Sequence, residues 1–201
     1  MKYNYHITYF LVSVPGICKL PDGKMGMEVA FVGYSNSGKS SVINALTYQK
    51  KLTKVSKTPG CTKLINLFEV KPGIRLIDFP GYGYARGITI RKNYWHDVAC
   101  KYLEKRENLK GLILIMDIRR PIKNLDQKII ESALSMKVPV FTLLNKSDKI
   151  SRNILKITTQ KMIHDMNIRF TTSCIQVAPF SAVKKHGIEL LKITLNHWLK
   201  Y

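Results

Sequence analysis

The sequence predicts an α/β fold, in which a mostly parallel sheet carries helices on both faces. Short apolar runs alternate with longer helical patterns along the chain, as expected for repeated strand–helix units. Runs such as 112–116 and 138–144 are almost wholly apolar, which is typical of strands buried on both faces. The length of 201 residues fits one domain.

The elements follow one another in a regular order. The predicted strands make a six-stranded sheet and cover residues 28–32, 64–70, 74–78, 111–117, 138–145 and 175–179. The predicted helices cover residues 39–47, 91–106, 124–136, 151–166 and 186–199. The apolar stretch Ile7–Val14 contains polar residues and lacks a signal-peptide cleavage site, so we interpret it as an edge strand. Residues 1–25 are expected to form an extension with that strand, in the same domain as residues 26–201.

The composition excludes a largely disordered chain, because 45% of the residues are hydrophobic and 23% are charged. No apolar run approaches the eighteen or so residues of a membrane span. The formal net charge of +20 favours contact with a polyanion such as RNA, although a Lys-rich composition from codon bias is an alternative. The four cysteines lie far apart, which favours reduced thiols in the cytoplasm.

A phosphate-binding loop is predicted where the first of the six strands ends. The segment Gly33–Ser40 has the pattern GxxxxGKS between an apolar strand and a helix. Its glycines allow backbone N–H groups to surround phosphate oxygens, and the helix N-terminus adds positive charge. Lys39 would contact the β- and γ-phosphates, and the Ser40 hydroxyl would bind Mg²⁺.

Two further segments indicate a triphosphate site. Asp78-Phe-Pro-Gly81 ends the strand 74–78, where its carboxylate can hold the hydration shell of Mg²⁺ and the Gly81 N–H can approach the γ-phosphate. Thr62 precedes the strand 64–70, in the position of a switch threonine whose hydroxyl binds Mg²⁺.

Guanine is the predicted base. Asn145-Lys-Ser-Asp148 follows the strand 138–145, and an Asp carboxylate accepts two hydrogen bonds, which matches the two N–H donors of guanine but not adenine. Asn145 would support the guanine carbonyl side, and the Lys146 stem would lie along the base. Backbone N–H groups of Phe180-Ser181-Ala182 would contact the guanine carbonyl.

These motifs resemble the EngB/YihA (YsxC) family of bacterial GTPases. The resemblance rests on Gly33–Ser41, Ser56–Thr62, Asp78-Phe-Pro-Gly-Tyr-Gly-Tyr84 and Met116-Asp-Ile-Arg119, and it runs from about Val14 to the C-terminus. It implies a single Ras-like P-loop GTPase domain over residues 26–201 that binds GTP with Mg²⁺. It also implies a role in large ribosomal subunit assembly and a requirement for normal cell division and septation. The protein is expected to be a monomer.

The predicted GTP contacts follow from the motifs and the resemblance together, and no catalytic residue is assigned. The predicted contacts are Gly33, Tyr34, Ser35, Asn36, Ser37, Gly38, Lys39, Ser40, Gly60, Cys61, Thr62, Lys63, Leu64, Asp78, Phe79, Pro80, Gly81, Asn145, Lys146, Ser147, Asp148, Phe180, Ser181 and Ala182. Four of these residues depart from the family pattern. The family usually has Arg at the positions of Tyr34 and Cys61 and Gln at that of Lys63, and many members have Thr at that of Asn145.

Hydrolysis is predicted to be slow. Ras-type enzymes orient the attacking water with a Gln directly after the glycine of DxxG, whereas this chain has Tyr82 there. A rate on the order of 10⁻⁴–10⁻³ s⁻¹ is expected without an external group. In related GTPases an Asn at the position of Asn36 binds K⁺; the alternative is that Asn36 only stabilises the loop.

The predicted partner is the large ribosomal subunit or its rRNA. Basic residues occur near the predicted switches, at Lys50, Lys51, Lys54, Lys57, Lys63, Arg86, Arg91, Lys92, Arg119 and Arg120.

Two other classes of function are alternatives. The first is a P-loop ATPase or kinase, which the NKSD segment disfavours. The second is a basic RNA-binding protein with a vestigial nucleotide site, which the intact motifs disfavour.

Overall fold

A central sheet with helices on both faces forms the molecule. The computed structural model describes residues 2–21, 26–53, 64–83, 94–120, 122–170 and 174–200. The strands in this part of the chain are β1 (Tyr9–Val14), β2 (Met27–Gly33), β3 (Ile65–Lys71), β4 (Ile74–Asp78), β5 (Leu109–Asp117), β6 (Val140–Asn145) and β7 (Ile175–Pro179). The helices are α1 (Lys39–Thr47), α2 (Tyr94–Lys105), α3 (Asn124–Ser135), α4 (Arg152–Arg169) and α5 (Ile188–Trp198).

The sheet has the order β1-β3-β4-β2-β5-β6-β7. Strand β2 lies between parallel neighbours β4 and β5, and β6 and β7 continue the parallel part. Strand β3 runs antiparallel to β4 and to β1. The predicted mostly parallel α/β fold is therefore confirmed. The predicted count of six strands is wrong: the sheet has seven, because β1 hydrogen-bonds to β3 from Tyr9↔Glu69 to Val14↔Ile65.

Each face of the sheet has its own apolar core. One core lies between the sheet and helices α2, α3 and α4. The other lies between the opposite face of the sheet and α1, α5 and the N-terminal residues Tyr3 and Tyr5. Every residue of β2 is buried, as expected for a central strand covered on both faces. No helix in the described ranges is long and apolar enough to cross a membrane.

The parallel strands bring the predicted motifs to one edge. Strands β2, β4, β5 and β6 end at Gly33, Asp78, Asp117 and Asn145, and ligands of such sheets bind outside the carboxyl ends of the strands. The helix that follows β2 begins at Lys39, as the GxxxxGKS pattern predicts. The other helices begin and end within about three residues of their predicted bounds.

A buried carboxylate ties the opposite end of β2 to α2. Glu28 is 0% exposed and accepts hydrogen bonds from Tyr102 Oη at 2.6 Å and from Arg106 Nε and Nη2 at 2.8 Å each. Burial raises the pKa of Glu28, but the hydrogen bonds from Arg106 and Tyr102 outweigh burial, so the pKa is lowered. The central strand is thereby held to α2 and to Arg106, which directly follows it.

Candidate functional site

The loop after β2 requires glycine at two positions. A Cβ atom on Gly33 would lie 2.4 Å from the Ile115 carbonyl oxygen. Gly38 has a φ of +94°, and a Cβ atom there would lie 2.3 Å from Asn145 Nδ2. The loop is therefore packed against β5 and the NKSD segment, and it leads into the N-terminus of α1, which favours a bound anion.

A buried ion pair lies beside this loop. Lys39 Nζ pairs with Asp78 Oδ1, and the two side chains are 8% and 2% exposed. Asn66 Nδ2 donates to the other Asp78 oxygen at 3.3 Å. The pair brings a phosphate-binding cation and a carboxylate together, and the Ser40 hydroxyl follows Lys39 directly. Hydroxyl and carboxylate oxygens are the donors that Mg²⁺ takes, so these residues fit the ion.

Backbone contacts join the phosphate loop to the segment after β4. Ser35 N donates to Tyr82 O at 2.9 Å, and Tyr82 N donates to Gly33 O at 3.3 Å. Ser35 Oγ donates to Gly81 O at 3.0 Å. A Cβ atom on Gly81 would lie 2.8 Å from Ser35 Cα, so the glycine allows this close approach. The DxxG segment is thus fixed to the loop at its glycine.

The Tyr82 side chain is buried between Tyr34 of the phosphate loop and Asp126 of α3. It is 2% exposed, and its hydroxyl donates to Asp126 Oδ1 of α3 at 2.6 Å. Its ring packs edge-on against Tyr34, with the ring centroids 4.7 Å apart. Burial raises the pKa of Tyr82 well above its ordinary value, with the Asp126 charge adding to the effect. The phenol is therefore bound to α3 and does not stand in for the missing Gln.

Tyr34 packs in the same direction. Lys123 Nζ lies 4.3 Å from the centroid of its ring. The ring therefore packs on the α3 side of the loop. Phe79 is also buried. It is 1% exposed, and its ring packs edge-on against Tyr102, with the ring centroids 5.0 Å apart.

The NKSD segment is hydrogen-bonded to the phosphate loop. Asn145 Nδ2 donates to Ser37 O at 2.9 Å, and Lys146 Nζ donates to Asn36 O at 2.6 Å. Asn36 has a φ of +66°, a conformation that Asn adopts more readily than most residues, which gives it a structural role in the loop. The two nucleotide-binding motifs are therefore one connected unit.

Asp148, the residue predicted to recognise the base, has a side-chain partner at each carboxylate oxygen. Ser181 Oγ donates to Asp148 Oδ1 at 2.6 Å, and Lys149 Nζ lies 3.5 Å from Oδ2. The hydrogen bond from Ser181 lowers the pKa of Asp148, and Lys149 adds to the effect. The carboxylate is therefore ionised near neutral pH, as an acceptor of two guanine N–H donors must be.

The segment after β7 differs from its prediction in part. Phe180 N donates to Leu144 O at 2.9 Å and Ser181 N donates to His186 O at 3.1 Å, so these two N–H groups are used within the fold. Ala182 N makes a longer 3.4 Å contact with Asn145 Oδ1. Of the three predicted donors to the guanine carbonyl, Ala182 N has the longest hydrogen bond within the fold, and Ser181 contacts Asp148 through its hydroxyl.

Asp117, at the end of β5, also contacts the predicted site, although no motif assigned it a role. Its Oδ2 lies 3.0 Å from Lys146 Nζ, and Arg119 pairs with both carboxylate oxygens at 2.9 and 2.7 Å. Burial raises the pKa of Asp117, but the hydrogen bonds from Arg119 and Lys146 outweigh burial and hold the pKa well below its usual range. A carboxylate at a strand end beside β2 is the sequence signal that could have identified it.

Part of the predicted site lies outside the described residues. This holds for Gly60, Cys61, Thr62 and Lys63, and for the basic residues Lys54, Lys57, Arg86, Arg91 and Lys92. Leu64 is 40% exposed and directly precedes β3. Ser147 and Pro80 are buried beside Asp148 and Gly81.

Solved structures of nucleotide-binding proteins share this fold. A crystal structure of a probable GTP-binding protein EngB superposes with a TM-score of 0.67 and 24% identity, over 86% of this chain and 98% of that chain. The protein Era in complex with MgGDPNP and 16S ribosomal RNA nucleotides superposes with a TM-score of 0.67 and 21% identity, over 88% of this chain and 58% of Era.

Sequence comparison gives the family. The model of the 50S ribosome-binding GTPase family matches residues 28–146. A probable GTP-binding protein EngB of Blochmanniella pennsylvanica is 74% identical over 200 residues, which cover 100% of both chains. One of Hamiltonella defensa is 51% identical over 97% of this chain and 94% of its own. The chain therefore belongs to the EngB GTP-binding proteins within this GTPase family, and it is a GTP-hydrolysing enzyme.

Proposed function

We propose that this GTPase is a slow molecular switch that acts in assembly of the large ribosomal subunit and in normal cell division. The observation that carries the nucleotide part is the connection between the two motifs: Asn145 and Lys146 hydrogen-bond to the phosphate loop, and Ser181 orients Asp148. A base and its phosphates would then be held by one connected unit, and the Gly81 N–H would approach the γ-phosphate.

Mg²⁺ is the proposed metal ion. Ser40 would bind it directly, Thr62 would do so when GTP is bound, and Asp78 would hold its hydration shell. When bound, the ion neutralises charge on the β- and γ-phosphates. The Lys39–Asp78 pair supports this, because GTP with Mg²⁺ offers each partner a group of opposite charge. K⁺ at Asn36 is a separate proposal, since the backbone role of Asn36 does not use its side chain.

Slow hydrolysis follows from the direction of Tyr82. Its hydroxyl is bound to Asp126, so Tyr82 does not take the place of the missing Gln, and faster hydrolysis would need an external group. Rates on the order of 10⁻⁴–10⁻³ s⁻¹ are expected for the chain alone.

The proposed partner is the large ribosomal subunit or its rRNA, with the protein acting as a cytoplasmic monomer. The net charge of +20 supports an RNA partner, and the matching family is described as ribosome-binding. Residues 1–25 would be an extension of the same domain as residues 26–201.

Base recognition is tested with Asp148→Asn. This variant should lose GTP affinity and gain XTP affinity, because Asn can donate to the 2-keto group of xanthine. Asp165→Asn on α4 is the matched control and should bind GTP like the wild type. Unchanged GTP affinity in Asp148→Asn would remove Asp148 from the site. If ATP competed with labelled GTP as well as unlabelled GTP does, the result would instead favour a P-loop ATPase.

The partner is tested with purified large-subunit particles. Binding should be tighter with a non-hydrolysable GTP analogue than with GDP at a fixed salt concentration. The affinity should also fall with salt, because lysine contacts to phosphates release counterions. Equal affinity with both nucleotides would contradict the switch and leave a basic RNA-binding protein.

A further inference from the structure

Two exposed aromatic rings stack on the face that carries α1 and α5. The His6 and Tyr48 rings have centroids 4.3 Å apart and an angle of 11° between their planes. Tyr48 is 39% exposed, and His6 is exposed as well. Surface aromatic rings arranged in this way offer a face on which a further planar group can stack.

Two lysines complete this surface. Lys185 Nζ and Lys192 Nζ lie 5.0 and 4.7 Å from the centroid of the Tyr48 ring. Lys192 Nζ also lies 3.3 Å from the Tyr48 hydroxyl. We call His6, Tyr48, Lys185 and Lys192 the Tyr48 platform. It combines stacked rings with cations, which are the two features of sequence-tolerant sites for single-stranded nucleic acid.

The platform is assembled from three distant segments by specific contacts. Gln49 Nε2 donates to the backbone carbonyls of His6 at 3.0 Å and Thr8 at 2.6 Å, which fixes the N-terminal segment beside Tyr48. Tyr48 and Lys185 both have a φ of +56°, a conformation that L-residues adopt at a cost. These contacts hold the rings in place before any ligand binds, so less entropy is lost on binding.

The charge around the platform favours an anion. Its segments continue into exposed lysines, Lys50 and Lys51 after Tyr48 and Lys184 before Lys185. Among the described residues, Glu189 contributes a carboxylate to this surface, and its Oε1 lies 2.9 Å from Lys192 Nζ. The remaining lysines can therefore contact phosphates that follow a stacked base.

We propose that the Tyr48 platform binds single-stranded RNA, with a base stacked on the exposed outer face of His6 and phosphates on the lysines, because His6 and the two lysines already cover the Tyr48 ring. The class of partner rests on the proposed function. The site rests instead on the contacts of Tyr48, which directly follows α1, with His6 of the N-terminal segment and with Lys185 and Lys192.

The test is binding of a 12-nucleotide single-stranded RNA that contains 2-aminopurine, measured by anisotropy and by fluorescence with the full chain saturated with GDP. The wild type should quench 2-aminopurine. His6→Ala and Tyr48→Leu should each weaken binding about fivefold or more and abolish the quenching. Lys185→Ala should reduce the slope of log affinity against log salt by about 0.7.

Matched controls exist for the histidine and lysine variants. His164→Ala removes an exposed histidine from α4, and Lys137→Ala removes an exposed lysine whose φ is +57°. Both should bind like the wild type. Wild-type binding and quenching in His6→Ala would overturn the proposal. Equal affinity for polyglutamate, without quenching of the RNA probe, would also overturn it in favour of an acidic peptide. The nucleotide preference on ribosomal particles is a separate measurement, so the proposed function and this site can fail independently.

Discussion

Replacement of Asp117 with Asn is expected to weaken guanine-nucleotide binding through Lys146. The Lys146 ammonium lies between the Asp117 carboxylate at 3.0 Å and the Asn36 carbonyl at 2.6 Å. An amide at position 117 keeps the shape but removes the charge that holds the ammonium. Because the Lys146 stem is expected to lie along the base, the cost of repositioning it falls on nucleotide binding.

The size of the effect follows from exposure. A hydrogen bond between charged groups contributes about 1.5–3 kcal/mol. The Lys146 side chain is 29% exposed, so solvent screens the pair and about 1 kcal/mol is expected for its loss. Since 1.4 kcal/mol corresponds to a factor of ten, the Kd for GDP should rise about fivefold.

The assay is titration calorimetry with GDP at pH 7. Arg119→Ala is the control, because it removes the other cation at Asp117 and leaves the contact with Lys146 intact; the Arg119 side chain is 47% exposed. It should change the Kd by less than twofold. An unchanged Kd in Asp117→Asn, or an equal effect in both variants, would refute the coupling between Asp117 and Lys146.

Asp117→Asn should also change how the free energy of unfolding depends on pH. The pKa of Asp117 is lower in the folded state than its ordinary value of about 3.9 in an unfolded chain. The stabilisation from its ionisation is therefore complete above that value and is lost as the pH falls through the folded-state pKa. The wild type should exceed Asp117→Asn in free energy of unfolding at pH 7, and the gap should narrow below about pH 4. A gap that is constant with pH would contradict this.

Three further predictions concern the loop and its neighbours. Tyr82→Phe leaves the buried Asp126 carboxylate with one donor fewer and should lower the free energy of unfolding in urea by about 1–3 kcal/mol; no loss would mean that solvent satisfies Asp126. Gly38→Ala should weaken GDP binding tenfold or more, because its φ is +94° and its Cβ would clash, whereas Gly16→Ala, with open space around it, should bind normally. If Asn36 binds K⁺, replacement of Na⁺ by K⁺ at constant ionic strength should raise turnover and Asn36→Ala should abolish the difference; equal rates would leave Asn36 a structural residue.

The fold and the edge that carries the site were predictable from local patterns. Apolar runs that alternate with helical patterns require a mostly parallel sheet, and the carboxyl ends of parallel strands must meet. GxxxxGKS and NKSD could therefore be assigned to one edge, where Asn145 and Lys146 contact the loop. The seventh strand was also visible as an apolar stretch, but its pairing with β3 is a long-range contact that no local pattern specifies.

Side-chain direction was decided by the tertiary structure. The sequence places Tyr82 beside Gly81, but the acceptor that turns its hydroxyl inward, Asp126, lies 44 residues away on α3. In the same way, the N–H groups of Phe180 and Ser181 are used by acceptors that the sequence does not mark. The sequence by itself determined the predicted chemistry of the site, because the residues expected to bind phosphate, metal and base are adjacent in the chain within each motif. The tertiary structure decided which of those groups remain available to a ligand, because each buried donor or acceptor must find a partner in the fold.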